Sequence, residues 1–173
     1  CHDLGKATHT VFERERWRCP AHDVGGVEPT KELLARINGQ NDVVPLVCDL
    51  VREHLRPGQL YLERDKVSDA AIRRLSTRVN IPALCRVSFA DFAGRLKPFE
   101  LPWAPEVWLL ERAASLGVKD EAPKNFLRGQ DLISHGIAPG PGMGKILELA
   151  YDLQIEGNLA DREQALTWLW THY

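Results

Sequence analysis

Apolar residues recur at intervals of three and four along most of the chain, the period of a helix that buries one face. Behind Asp42, a candidate N-cap, Val43, Val47, Leu50, Val51 and His54 share a face, and Pro57-Gly58 is expected to stop the run. Glu28-Pro29 opens an earlier helix carrying Leu33, Leu34 and Ile37 and ending near Gly39. Ser68 and Asp69 lead into Ile72 and Leu75, while Pro82 opens a helix through Leu84, Val87 and Asp91 that closes at Gly94. A further one runs from Pro105 through Val107, Leu110 and Ala114 to Leu116, with Gly117 in the C-cap position. Beyond the turn Pro139-Gly140-Pro141-Gly142, Ile146, Leu147, Leu149, Ala150 and Leu153 mark a helix ending at Gly157, and a last helix starts near Asp161 with Ala165, Leu166, Leu169 and Trp170. Strand-like alternation is confined to Gln59-Leu60-Tyr61-Leu62, too short to found a sheet. The pattern predicts an all-α protein.

Two prolines, in Lys97-Pro98-Phe99 and Leu101-Pro102-Trp103, interrupt the helical pattern and suggest a division into residues 1–96 and 97–173. Charge separates the same parts: the first holds 15 basic and 13 acidic side chains, the second 7 and 11. Over all 173 residues the formal charge is −2 with 44% hydrophobic residues, an ordinary globular composition that excludes collagen-like and wholly disordered chains. No apolar run approaches the ~20 residues of a membrane span, and the first residues resemble no signal peptide. A soluble, cytoplasmic protein without a membrane partner is the expectation. Cys1, Cys19, Cys48 and Cys85 form no C-x-x-C pair, which removes zinc-ribbon and thioredoxin-type sites. Reduced thiols are the simplest reading, and their spacing leaves a single disulfide open.

Chemistry concentrates in a few side chains. His2-Asp3 supplies imidazole and carboxylate, donors suited to first-row and magnesium-type divalent ions, although a polar pair at a helix end with Gly5 as C-cap is the commoner meaning of such a dipeptide. His54 falls on the apolar stripe of its helix, where a histidine is ordinarily a satisfied core residue. Asp91 is at helical spacing from Leu84 and Val87, so its carboxylate is expected on a buried face, where an unpaired charge costs several kcal/mol and a metal is a good partner. His22 follows Pro20-Ala21 in an expected loop, where a solvated surface histidine competes with a functional one. His9, His135 and His172 read as surface residues. Gly140-Pro141-Gly142-Met143-Gly144-Lys145 imitates a phosphate loop, but Pro139 and Ile146 stand where such a loop needs Gly and Ser or Thr.

Taken in order, His2-Asp3-Leu4-Gly5-Lys6, Cys19-Pro20-Ala21-His22-Asp23, Val51-Arg52-Glu53-His54-Leu55-Arg56-Pro57 and Phe89-Ala90-Asp91-Phe92-Ala93-Gly94-Arg95 resemble the HD superfamily of metal-dependent phosphohydrolases. Within it they are most similar to the HD region of bacterial CCA-adding tRNA nucleotidyltransferases and their poly(A) polymerase relatives. The segments Leu127–Ile133, Gly136–Pro141 and Gly144–Leu147 resemble the tail of those enzymes. The resemblance implies an HD helical bundle followed by a smaller helical tail. It implies His2, Asp3 and Asp91 as ligands of a divalent metal (Mg2+, Mn2+, Ni2+ or Co2+), with His22 and His54 holding a second ion or approaching the substrate phosphate. Lys6 would lie near that phosphate, with Arg56 and Arg95 as further phosphate or RNA contacts. The superfamily's first histidine ligand belongs to a helix before the dyad and falls outside these 173 residues, as does the nucleotidyltransferase head; a head upstream would make this the C-terminal part of a tRNA-maturing enzyme, and a frame starting one helix earlier a stand-alone phosphohydrolase.

Two functions follow from the resemblance. The first is a phosphohydrolase cleaving 2',3'-cyclic phosphodiesters or 2'-phosphates, with a phosphoester or nucleotide, including the 3' end of tRNA, as substrate. The second is a tRNA-binding or structural module with an idle metal site, in which Arg52, Arg56, Arg73 and Arg74 line phosphates.

Overall fold

A computed structural model describes residues 1–37, 42–95 and 98–173. The expected helix end at Gly39 and the division at residues 96 and 97 fall outside these. The order is α1 (Lys6–His9), β1 (Val11–Glu13), β2 (Arg16–Arg18), α2 (His22–Gly25), α3 (Val27–Arg36), α4 (Val43–Glu53), α5 (Arg56–Leu62), a 3-10 turn (Arg64–Lys66), α6 (Asp69–Ser76), α7 (Ile81–Ala93), α8 (Ala104–Ser115), α9 (Gly129–Ser134), α10 (Pro141–Glu156) and α11 (Arg162–His172). The all-α expectation holds for the body of the molecule, and β1 and β2 form a two-stranded antiparallel ribbon that the pattern did not announce.

Side-chain oxygens start several helices as their sequences suggest. Ser68 accepts from the Ala71 amide, Asn80 from that of Ala83 and Asp161 from that of Gln164, each satisfying an amide that the helix itself leaves without a partner. Asp42 makes no such bond. Gly117 and Gly157 follow α8 and α10 with φ of 67° and 85°, the left-handed region in which a Cβ is penalised. Two further expectations are corrected. The run behind Asp42 does end ahead of Pro57-Gly58, at Glu53, but helical structure resumes there, because Pro57 falls in the first turn of α5, where its missing N–H is not needed. That same helix contains Gln59–Leu62, so the short alternation is one stretch of a helix surface.

Two apolar cores result. Ile72, Leu75, Ile81, Leu84, Cys85, Leu109 and Ala113 build the first, so α8 joins α6 and α7 although it lies beyond the sequence division. Leu127, Leu132, Ile146, Ala150, Leu159, Ala165 and Leu169 build the second, in the tail. The Arg73 guanidinium donates to the Ile155 carbonyl and Arg74 pairs with Glu156, which ties α6 to the end of α10. All four cysteines are free, and no helix among the described residues is long and apolar enough to cross a membrane.

Candidate metal centre

The dyad lies in the turn that precedes α1 rather than at a helix C-terminus. Gly5 has φ −64°, so its role is not a left-handed cap. It permits contact: a Cβ there would stand 2.1 Å from the His22 carbonyl oxygen and 2.6 Å from the Gly26 nitrogen. Gly26 is similarly constrained, 2.9 Å from that oxygen and 3.1 Å from a Val51 methyl. Glycine at both positions lets the dyad and α2 approach backbone to backbone and lets the Val51 side chain of α4 pack against them, with His22 and His54 brought to Asp3.

His22 is no solvated loop residue. It begins α2 behind Ala21, whose φ of 54° is uncommon for a residue with a Cβ, and its side chain is 11% exposed. His54 is 1% exposed at the end of α4. Both rings are fixed by one device. The Nδ1–H of His22 donates to the Cys19 carbonyl at 2.7 Å and that of His54 to the Val51 carbonyl at 2.6 Å. A carbonyl only accepts, so Nδ1 carries a proton in both rings, and Nε2 is the nitrogen left to act as a metal donor. Burial, reinforced by His2 and His22, pushes the His54 pKa down against the opposing effect of the Val51 carbonyl, so this ring stays neutral at neutral pH.

Those nitrogens meet a carboxylate. His22 Nε2 is 3.6 Å from Asp3 Oδ1, and the donor atoms of Asp3, His22 and His54 all lie within 4.8 Å of one another. Asp3 Oδ1 and His54 Nε2 are buried without a hydrogen-bond partner. Such atoms have nothing to share a proton with, whereas a cation would satisfy all of them. A second donor set shares Asp3: His2 Nε2 lies 3.4 Å from Asp3 Oδ2 and 3.5 Å from Asp91 Oδ1. The His54 ring is edge-on to both His2 and His22 at 5.3 Å, so it stands between the two sets.

The basic residues are placed less simply. Lys6 Nζ donates to Asp3 Oδ2 and Arg95 Nη2 to Asp91 Oδ2, each at 2.6 Å. Arg95 leaves Asp91 Oδ1 to face His2, whereas Lys6 shares Asp3 Oδ2 with His2 and leaves Oδ1 to face His22. Burial alone would raise the Asp3 carboxyl, but the Lys6 hydrogen bond with the neighbouring positive charges outweighs it, and the net shift is downward. His2, Asp3, Lys6, Ala90, Asp91, Gly94 and Arg95 line an open depression of about 340 Å³. Arg56 is not among them: it pairs with Glu53, a 3% exposed carboxylate that Arg78 meets from its other oxygen. His9 is not a plain surface residue, since its ring occupies the space above Gly25. Sequence reasoning missed the roles of Cys19 and Val51, which act through backbone carbonyls and carry no residue-type signal, and of Gly26, whose signal is the glycine itself.

Over 103 residues the chain is 33% identical to the multifunctional CCA proteins of two strains of Xylella fastidiosa, M12 and 9a5c, a match covering 55% of this chain. The matched stretch spans 23% of those relatives' own length. No protein-family model matches the chain, and no solved structure matches it. A distant relationship to the CCA-adding enzymes is what the shared residues establish.

Proposed function

We propose that this chain is a metal-dependent phosphohydrolase of the HD type acting on 2',3'-cyclic phosphodiesters or 2'-phosphates, the chemistry of RNA ends. The observation that carries it is the convergence of donor atoms of His22, His54 and Asp3, with Asp3 Oδ1 and His54 Nε2 buried and without a hydrogen-bond partner. His2, Asp3 and Asp91 would hold one divalent ion, and Asp3, His22 and His54 offer donors for another. An ion so held supplies Lewis-acid polarisation of a phosphoryl oxygen and acidifies water.

The chain's own groups do the rest. Lys6 and Arg95 fix the carboxylates, and the donors they do not use on Asp3 and Asp91 face the depression, where a phosphate dianion would meet two cations. His54, held by the Val51 carbonyl and pushed by burial toward its neutral form, keeps its Nε2 lone pair available as a donor at neutral pH. A purely RNA-binding module is less well supported, because its arginines are engaged within the chain: Arg52 with Asp49, Arg56 with Glu53, Arg73 with Ile155 and Arg74 with Glu156. Turnover of 2',3'-cyclic AMP or p-nitrophenyl phosphate with Mg2+, Mn2+, Ni2+ or Co2+ tests the assignment. Turnover with at least one ion, abolished by a chelator, is the expected result; inactivity with every ion would refute it.

A further inference from the structure

The ribbon joining α1 to α2 has no part in holding the donors, yet both of its legs are rooted in them. Its leading leg leaves α1, which begins at Lys6, and its returning leg runs into His22. At its base the His9 ring covers Gly25, and Thr10 Oγ1 lies 3.2 Å from Cys19 Sγ. From there every residue of 11–17 is exposed. In the ladder Phe12 opposes Trp17, which puts both rings on one face, with centroids 5.1 Å apart. Phe12 is 59% exposed and Trp17 71%, so the largest apolar surfaces of the ribbon point into solvent.

Basic residues lie at the turn and on the face behind the aromatic pair, interleaved with Glu13 and Glu15, so that the ribbon keeps a small positive excess. Arg14 occupies the two-residue turn, and Arg16 and Arg18 lie on the reverse face opposite Glu13 and Val11. Among the described residues none of these arginines forms an ion pair, in contrast to the engaged arginines of α4, α5 and α6. Arg18 Nε is buried without an acceptor. Any partner must offer flat apolar surface to the rings and negative charge to the guanidinium groups. An unpaired nucleic-acid strand satisfies both, since bases stack on aromatic faces and phosphates attract guanidinium groups.

We propose that the ribbon is a stacking platform for the unpaired end of an RNA strand, with two bases against Phe12 and Trp17, phosphates met by Arg14, Arg16 and Arg18, and the terminal phosphoester led toward Lys6 and Asp3. The substrate class rests on the phosphohydrolase reading, but the platform is tested by binding, which needs no turnover. The probes are hexaadenylate, an abasic ribose-phosphate strand of equal length and a blunt RNA duplex, each titrated by fluorescence anisotropy against the intact chain. Hexaadenylate is expected to bind at least about 10-fold more tightly than either other probe. The double variant Phe12→Ala/Trp17→Ala should weaken hexaadenylate about 10–100-fold and leave the abasic strand unchanged, while Trp17→Phe retains binding. Replacing the three arginines by Gln should lower the slope of log affinity against log salt by about 2. Equal binding of hexaadenylate and the abasic strand by the unmodified protein would overturn the proposal. So would unchanged hexaadenylate binding by the double variant, or sedimentation showing that the same substitutions convert a dimer to a monomer. Binding as expected in a protein that hydrolyses nothing would keep the platform and discard the phosphohydrolase.

Discussion

At Gly5 a single hydrogen stands where any other residue would place a carbon 2.1 Å from the His22 carbonyl. Gly5→Ala therefore forces backbone against backbone and is expected to destabilise the fold by about 1–3 kcal/mol. Gly58, inside α5 with nothing within 4 Å of the place a Cβ would take, is the matching control. Gly58→Ala should stabilise by roughly 0.5–1 kcal/mol through helix propensity, so urea melts of the two variants should move in opposite directions. Asp91 separates a ligand from a structural carboxylate. Its cationic partner Arg95 is 58% exposed, and losing that pair alone costs ~1 kcal/mol or less. Asp91→Ala is thus expected to melt close to the unmodified protein without metal, and to lose the stabilisation that Mn2+ or Ni2+ confers on that protein. The residue types of this site were legible in the sequence: His2, Asp3, His22, His54 and Asp91 all come together. Which nitrogen of each histidine faces inward was not legible, because that depends on the Cys19 and Val51 carbonyls.

Among the elements, the hairpin escaped a reading of the sequence for a physical reason. Two-residue hairpin turns favour Asn-Gly or Asp-Gly, since both central residues take positive φ, but here Arg14 and Glu15 do so at 49° and 61°. Helix α9 escaped for want of length, and Pro57 read as a stop because sequence alone does not distinguish the proline of a first turn from one that breaks a helix. In the tail, Asp131 accepts from the Arg128 amide at the start of α9 and from both terminal nitrogens of Arg162 on α11. The Arg162 hydrogen bonds, helped by the Arg128 amide, hold its pKa below the usual carboxylate value. A carboxylate with a depressed folded pKa contributes stability that is full above its unfolded pKa, about 4, and vanishes as pH falls through the folded value. Urea stability should therefore drop below about pH 4 more steeply for the unmodified protein than for Asp131→Asn, whose acid dependence should be flatter.

The whole molecule has an inside and an outside for thiol chemistry. Burial raises the Cys48 thiol and pushes Cys85 up to about 12, with Glu106 adding to the latter, whereas Cys1 is exposed and Cys19 half-buried beside the ribbon. Reaction with a disulfide reagent at pH 8 is expected to modify Cys1 and Cys19 in the native state, Cys85 only as fast as the first core opens, and Cys48 only as fast as α4 parts from α3. Equal rates for all four would show that α4 and α7 are not packed as described. The two cores were legible as apolar stripes on separate helices. The allegiance of α8 was not, because a pair of prolines looks the same whether it parts two bodies or lets one helix fold back upon its own.

The donors of the candidate centre are strung over the turn before α1, the start of α2, the end of α4 and the last turns of α7. None of these segments holds a set by itself. During synthesis the set of Asp3, His22 and His54 is in hand once residue 54 has emerged, whereas the set that shares Asp3 with His2 waits for Asp91. Capture of a cation by this second set then certifies that distant segments have met, and the kinetics of that capture after dilution from denaturant would time the closure of the longest loops in the bundle.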